Sequence, residues 1–226
     1  MHPLSNVVPQ GGEPIPPSVN QTVDAIPEAQ SSQIGVSVRY EPTPSKSWYV
    51  FRATYGREDK AYEYIVNDGT YAYVAKRYKS VVRNRVREMI LEPLMPGFLF
   101  VYASKTKAEE YAKNTADLPF LNFYYNHFEQ ESGKNPPLTV LRHEMENFIL
   151  ATVSQNEHLK VVSESQCHFK TGDKVRVIEG PFKGVEGRVA RVSGQQCVVL
   201  QLSHIGWVST AYVPTAFLEK TIKVRQ

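Results

Sequence analysis

Eight of the fifteen prolines fall within the first 46 residues (positions 3, 9, 14, 16, 17, 27, 42 and 44), where the only aromatic is Tyr40. Proline fixes φ and lacks a backbone donor, so it is excluded from helix interiors and central strands. With so few large apolar side chains, nothing offsets the entropy of ordering this backbone, and 1–46 reads as a disordered arm. Its charges (Glu13, Asp24, Glu28 and Glu41 against Arg39 and Lys46) sum to −2, while the whole chain carries +3, so the part able to fold carries +5. Apolar residues make up 42% of the chain, enough for a packed core. No run of about 18 residues is free of both charge and proline, so no membrane span is expected. The start of the chain lacks the basic-then-apolar form of a secretion signal. Cys167 and Cys197 are too few for a disulfide framework and suit a reducing cytoplasm.

At Trp48 the texture changes. Trp48–Thr54 is aromatic and β-branched and predicts a strand, and Gly56 ends it. Glu58 and Asp59 suit the positive end of a helix carrying Ala61, Tyr64 and Ile65, which stops at Asn67-Asp68-Gly69. Tyr71–Lys79 and Val81–Leu91 read as a long hairpin, and Phe98–Tyr102 as a further strand after Met95-Pro96-Gly97. Thr106-x-x-Glu109 has capping-box form before a second helix, and Asn122–Phe128 reads as a strand. Leu141, Met145, Phe148, Ile149 and Thr152 share one face of a third helix, expected to be capped by Thr139. This order implies an α+β domain, an antiparallel sheet with flanking helices, over 47–153. A polar linker is expected over 154–167, with a short apolar interruption at Val161-Val162. Lys174–Ile178, Val185–Val192, Cys197–Leu202, Val208–Val213 and Phe217–Glu219 are then five short strands between glycine turns, which predicts a small closed β-barrel over 168–221.

The densest basic stretch is Lys76, Arg77, Lys79, Arg83, Arg85 and Arg87, and eleven of the thirteen tyrosines lie between 47 and 127. Cations neutralise phosphates and aromatic faces stack on unpaired bases. A solvated hairpin and a nucleic-acid contact both fit that composition. Arg83, Arg85 and Arg87 share parity, and on one strand would form a self-repelling row that an anion relieves, which favours contact. Phe98-Leu99-Phe100-Val101-Tyr102 is apolar on both parities. It is either a central strand with helices on both sides or the floor of an open depression for a partner. The sequence contains no phosphate-binding glycine loop, no HExxH and no nucleophile elbow. The six histidines have no ligand spacing with either cysteine. Neither catalysis, nor a metal, nor a cofactor is expected.

Two motifs carry a family resemblance. Trp48-Tyr49-Val50 with Pro96-Gly97-Phe98-Leu99-Phe100-Val101 resembles the N-terminal (NGN) domain of NusG-type transcription factors. Phe169–Val177, Gly180-Pro181-Phe182-Lys183-Gly184 and Gly187 resemble their KOW domain, an SH3-like five-stranded barrel. Thr54-Tyr55-Gly56-Arg57-Glu58 looks further like the UpxY-type specialised paralogues, antiterminators of surface-polysaccharide operons.

The resemblance implies an apolar cavity docking on the clamp helices of the RNA polymerase β′ subunit, built by Trp48, Tyr49, Pro96, Gly97, Phe98, Leu99, Phe100 and Val101. It thereby favours the open depression. It also implies contact with the non-template DNA strand of the transcription bubble by Arg52, Arg57 and Lys60, with the 76–87 hairpin adding phosphate contacts. Housekeeping relatives carry Gly-Arg-x-Thr-Pro-Val-Glu before the last strand, where this chain has Gly206-Trp207-Val208-Ser209-Thr210-Ala211-Tyr212. In those proteins this region contacts the termination factor Rho or a small-subunit ribosomal protein. Phe182, His204, Ile205 and Trp207 are the corresponding candidates here. Loss of Rho coupling is expected, the ribosomal protein stays a candidate partner, and Trp207 can equally be a barrel core residue. The expected protein is a cytoplasmic, monomeric, operon-specific elongation and antitermination factor. A housekeeping NusG and a ribosome-associated KOW protein are the alternatives.

Overall fold

The computed structural model describes residues 42–221, save 115, 131 and 132; the expected arm lies outside the described residues apart from 42–46. The α+β class holds: an antiparallel sheet with helices is followed by an all-β region of antiparallel strands. The first sheet comprises β1 (Ser47–Ala53), β2 (Tyr71–Tyr73), β5 (Phe98–Ala103) and β6 (Leu121–Phe123) in the order β2-β5-β1-β6, with β7 (Thr139–Val140) also paired to β1. Between β2 and β5 the chain forms a separate two-stranded ribbon, β3 (Lys76–Arg83) and β4 (Val86–Pro93).

Alternation along β1 and β5 divides their side chains between two cores. Tyr49, Phe51, Ala53, Leu99 and Val101 face α1 (Glu58–Asn67) and α2 (Lys105–Lys113), meeting Ala61, Ile65, Ala108 and Tyr111. The two helices are tied at their ends. Lys107 Nζ reaches Asp68 at 2.8 Å, and the Tyr111 hydroxyl donates to Asp68 at 2.6 Å. The Lys107 ammonium holds the Asp68 carboxyl below its ordinary range, while burial pushes the Tyr111 hydroxyl up to about 12. On the opposite face Trp48, Val50, Tyr73, Phe100 and Tyr102 meet Met145, Phe148 and Ala151 of α3 (Arg142–Thr152). Phe98–Tyr102 is therefore a central strand covered on both faces, and the open depression is not what this arrangement shows. Removing Phe148, which touches the rings of Tyr73 and Phe100, would cost about 3–5 kcal/mol by the usual cavity penalty.

Local expectations are corrected in four places. The cap of α2 is Ser104, whose hydroxyl accepts from the Lys107 amide, because the helix begins one turn position before the Thr106 box. Thr139 does not cap α3. It extends β7 against Tyr49, the cap falls at Leu141, and Leu141 is left exposed. In the span expected as a polar linker, β8 (Lys160–Val162) pairs with Gly206–Tyr212 as a sixth strand of the C-terminal sheet. The other five are β9 (His168–Val177), which begins six residues before the expected Lys174 and runs through Gly172, and, close to their expected places, β10 (Glu186–Val192), β11 (Gln195–Leu202), β12 (Gly206–Tyr212) and β13 (Leu218–Lys220). Among the described residues their pairing runs as the path β13-β9-β10-β11-β12-β8, with no pair joining β13 to β8.

Helix α3 lies between the two sheets. Phe182, Val198 and Leu200 of the C-terminal region belong to the same apolar cluster as Phe148 and Phe100. The Asn147 side chain reads both backbone groups of Glu186, accepting from its amide at 2.8 Å and donating to its carbonyl at 2.5 Å. Glu144 accepts from the amide and hydroxyl of Ser203.

Candidate functional site

Cations and aromatic rings converge where β1 ends. The strand runs out at Ala53, and Thr54–Gly56 forms a single tight turn in which Tyr55 has φ 60 and Gly56 φ 65. Left-handed backbone is costly for a residue with a Cβ, and such outliers persist where neighbours impose them. Here the strain holds Tyr55 out in solvent, 89% exposed. The Arg57 guanidinium lies 5.7 Å from the Tyr55 ring centroid and 5.3 Å from that of Phe120, and Lys60 Nζ sits 5.8 Å from Phe120. Arg52 donates to the Pro96 carbonyl at 3.1 Å and lies 4.5 Å from the Phe98 centroid. All three cations are exposed; Arg57 and Lys60 meet at Phe120 beside Tyr55, while Arg52 sits against Pro96 and Phe98. Tyr55 is a residue the sequence reasoning did not single out, although its place in Tyr55-Gly56-Arg57 was the available signal.

The expected docking residues divide by exposure. Trp48, Tyr49, Gly97, Leu99, Phe100 and Val101 are buried, Phe98 is half-buried and Pro96 is exposed. Phe98 begins an aromatic rim, with its ring 5.3 Å from Tyr124, and Tyr124 meets His127 edge-on at 6.2 Å. Tyr125 and Phe128 are exposed, and Phe128 lies 5.1 Å from His204 of the C-terminal sheet. Tyr124, Tyr125 and Phe128 were read only as strand residues. The aromatic density of 123–128 was the signal.

The ribbon redistributes the basic run. Its turn is Asn84-Arg85, both left-handed at φ 50 and 64, so Arg83 pairs with Val86 and Arg87 with Val82. Cross-strand partners share a face, so Arg83 and Arg87 project from opposite faces and Arg85 from the tip; the single row expected from parity does not form. At the base, Arg77 and Lys79 both hold Glu92, at 2.9 and 3.0 Å, and Lys76 holds Asp59 at 2.8 Å. Burial alone would raise the Glu92 carboxyl; hydrogen bonds from Lys79 and Arg77 outweigh it and hold the group below its ordinary value. The base is anchored, with the Tyr78 amide on the Gln155 carbonyl and Arg77 on the Leu159 carbonyl, leaving Arg83, Arg85 and Arg87 as exposed cations at the tip, with Glu88 exposed beside them.

In the C-terminal region Phe182 is core, Ile205 packs against that core, His204 is exposed at φ 63, and Trp207 is half-buried with its ring 5.4 Å from Phe169. Among the described residues no group of three His, Cys, Asp or Glu is placed to hold a metal, and no helix is long and apolar enough to cross a membrane.

The chain thus joins an antiparallel α+β sheet bearing exposed cations and aromatics to a small glycine-punctuated β region. The family description "Transcription termination factor nusG" matches residues 46–149 and the KOW motif matches 171–201. These matches support a NusG-type transcription termination or antitermination factor, an NGN region followed by a KOW motif, and not an enzyme. The NusG match implies interaction with RNA polymerase. No curated protein is similar enough to the chain to count as a match.

Proposed function

We propose that the chain is an operon-specific elongation and antitermination factor of the surface-polysaccharide type, acting in the cytoplasm as a monomer. The observation that supports this is that two unlike surfaces lie near the end of β1, which sets Arg52 against Phe98 and leads through Thr54 into Tyr55 and Arg57. One is the aromatic rim of Phe98, Tyr124 and Phe128 beside Pro96; the other is the cationic patch of Tyr55, Arg57 and Lys60. The rim docks on the β′ clamp helices, with buried Trp48, Tyr49, Gly97, Leu99, Phe100 and Val101 as its rigid backing. Aromatic anchors in part-desolvated sites dominate interface energetics, which suits half-buried rings on a fixed sheet. The patch and the ribbon tip then face the non-template strand, Tyr55 stacking on an unpaired base while Arg57, Lys60 and the tip arginines meet phosphates.

The factor makes and breaks no bond. It binds the elongating state of the polymerase better than the paused state, and that difference sets how far it can shift the balance. Because Gly206–Tyr212 departs from the housekeeping pattern, Rho coupling is absent, and any ribosomal contact falls to exposed His204. In vitro elongation on the protein's own operon leader and on an unrelated template tests the reading. Read-through on the leader alone is expected, and a Phe98→Ala/Tyr124→Ala/Phe128→Ala variant loses it through weaker polymerase capture, by roughly tenfold or more. Equal stimulation of both templates indicates a housekeeping factor. Capture of ribosomes without polymerase indicates the ribosome-associated alternative.

A further inference from the structure

Between α3 and the face of the KOW sheet lies a cleft of about 610 Å³ that shares only Trp207 with the surfaces described above. Three carboxylates line it, and each is already engaged within the chain. Glu144 takes both donors of Ser203, Glu146 holds Arg142, and Glu186 accepts from Arg176. The cations of the cleft stand differently. Lys174 and Arg188 are both exposed, and neither has a carboxylate partner among the described residues. They are also direct cross-strand partners on β9 and β10, so their side chains share a face and repel. An anion seated between them would convert that repulsion into binding.

The same wall carries aromatic surface. The Arg188 guanidinium lies 4.1 Å from the Phe169 centroid, and Phe169 is tilted against Trp207 at 5.4 Å, with the indole lining the cleft. Two cations without a carboxylate partner, Lys174 and the Arg188 stacked on Phe169, beside the indole of Trp207 match a ligand that has both phosphate charge and a flat π face. An acidic peptide would satisfy the cations and leave the rings uncovered. The volume falls within the range of about 300–1,000 Å³ usual for small-ligand clefts. The geometry points to a binding site for an unpaired nucleotide of a single-stranded nucleic acid, held between α3 and the KOW sheet and independent of the ribbon tip.

The test uses the full chain with single-stranded RNA and DNA of about 12 nucleotides and one sequence, each carrying a photoreactive thio-pyrimidine, with a nucleoside monophosphate and polyglutamate as competitors. Crosslinks are expected within 169–207, persisting in an Arg83→Gln/Arg85→Gln/Arg87→Gln variant. In Lys174→Gln/Arg188→Gln the affinity assigned to these crosslinks falls at least about tenfold at low salt, and the salt slope falls by about 1.4, two single-strand phosphates at ~0.7 each. Lys174→Gln alone, at an exposed strand position, gives about half that change in slope and guards against a double variant that fails to fold. Competition by the mononucleotide assigns a free-nucleotide source, and its failure to compete assigns the strand. The absence of crosslinks in 169–207, their loss with the ribbon arginines but not with Lys174 and Arg188, or competition by polyglutamate as strong as by the oligonucleotide, each overturns the proposal.

Discussion

Glycines at the motif positions act through different physics. At Gly97 the backbone has φ +77, and a Cβ would lie 2.9 Å from the Ala53 carbonyl oxygen, in the turn where the Ala53 amide donates to the Gly97 carbonyl. Conformation and close approach both demand glycine there. Gly187 needs no unusual φ, but a Cβ would lie 2.6 Å from the Val199 carbonyl oxygen and 2.7 Å from Val198 Cγ1, so the β10–β11 pair would have to open. Gly194 is the reverse case, with φ +81 and nothing within 4 Å. Gly187→Ala should therefore destabilise the protein by about 2–3 kcal/mol, as overpacking against backbone does. Gly194→Ala should cost only about 1 kcal/mol of backbone preference. Urea unfolding followed by tryptophan fluorescence ranks the two, and the opposite order would mean that the strand pair yields more easily than its carbonyl contact implies.

The β3–β4 ribbon shows what the sequence could and could not convey about an element. Two extended segments were legible from their β-branched and basic composition. The turn was not, because Asn84-Arg85 lacks the glycine that usually marks a two-residue loop with both residues left-handed. A shift in the assumed turn reassigns every side chain, which is why three arginines expected on one face occupy two faces and a tip. Strands β1, β5, β6 and β10 to β13 were legible because glycine or proline bounds most of them, whereas β8 carries no such mark and, like β7, was missed. The aromatic rim was not, since Phe98, Tyr124 and Phe128 converge only through tertiary packing. Arg85 at φ 64 stands where glycine would be more comfortable. Arg85→Gly should tighten the turn and remove the Arg85 charge at once. Slower amide exchange over 81–88 together with weaker binding to a bubble template is expected; unchanged binding would make the tip a solvated turn.

For the whole molecule the decisive fact is that α3 serves two sheets. Its apolar side, Met145, Phe148 and Ala151, closes the Trp48–Phe100 face of the NGN sheet, and the cluster continues into Phe182, Val198 and Leu200 of the KOW region. Asn147 and Glu144 then fix the KOW strands by backbone-directed hydrogen bonds. Those bonds are specific in geometry yet worth only about 1 kcal/mol each, so they orient the two regions more than they hold them together. If docking is by the proposed rim at Phe98 and Tyr124, and not by the face beneath α3, loosening the KOW region should leave it intact. Glu144→Ala/Asn147→Ala tests that separation. Amide exchange should accelerate across 142–152 and at Glu186 and Ser203, while affinity for the clamp helices stays within about twofold. If that affinity instead rises by tenfold or more, about 1.4 kcal/mol, then the covered Trp48–Phe100 face is the docking surface and the rim is only its border.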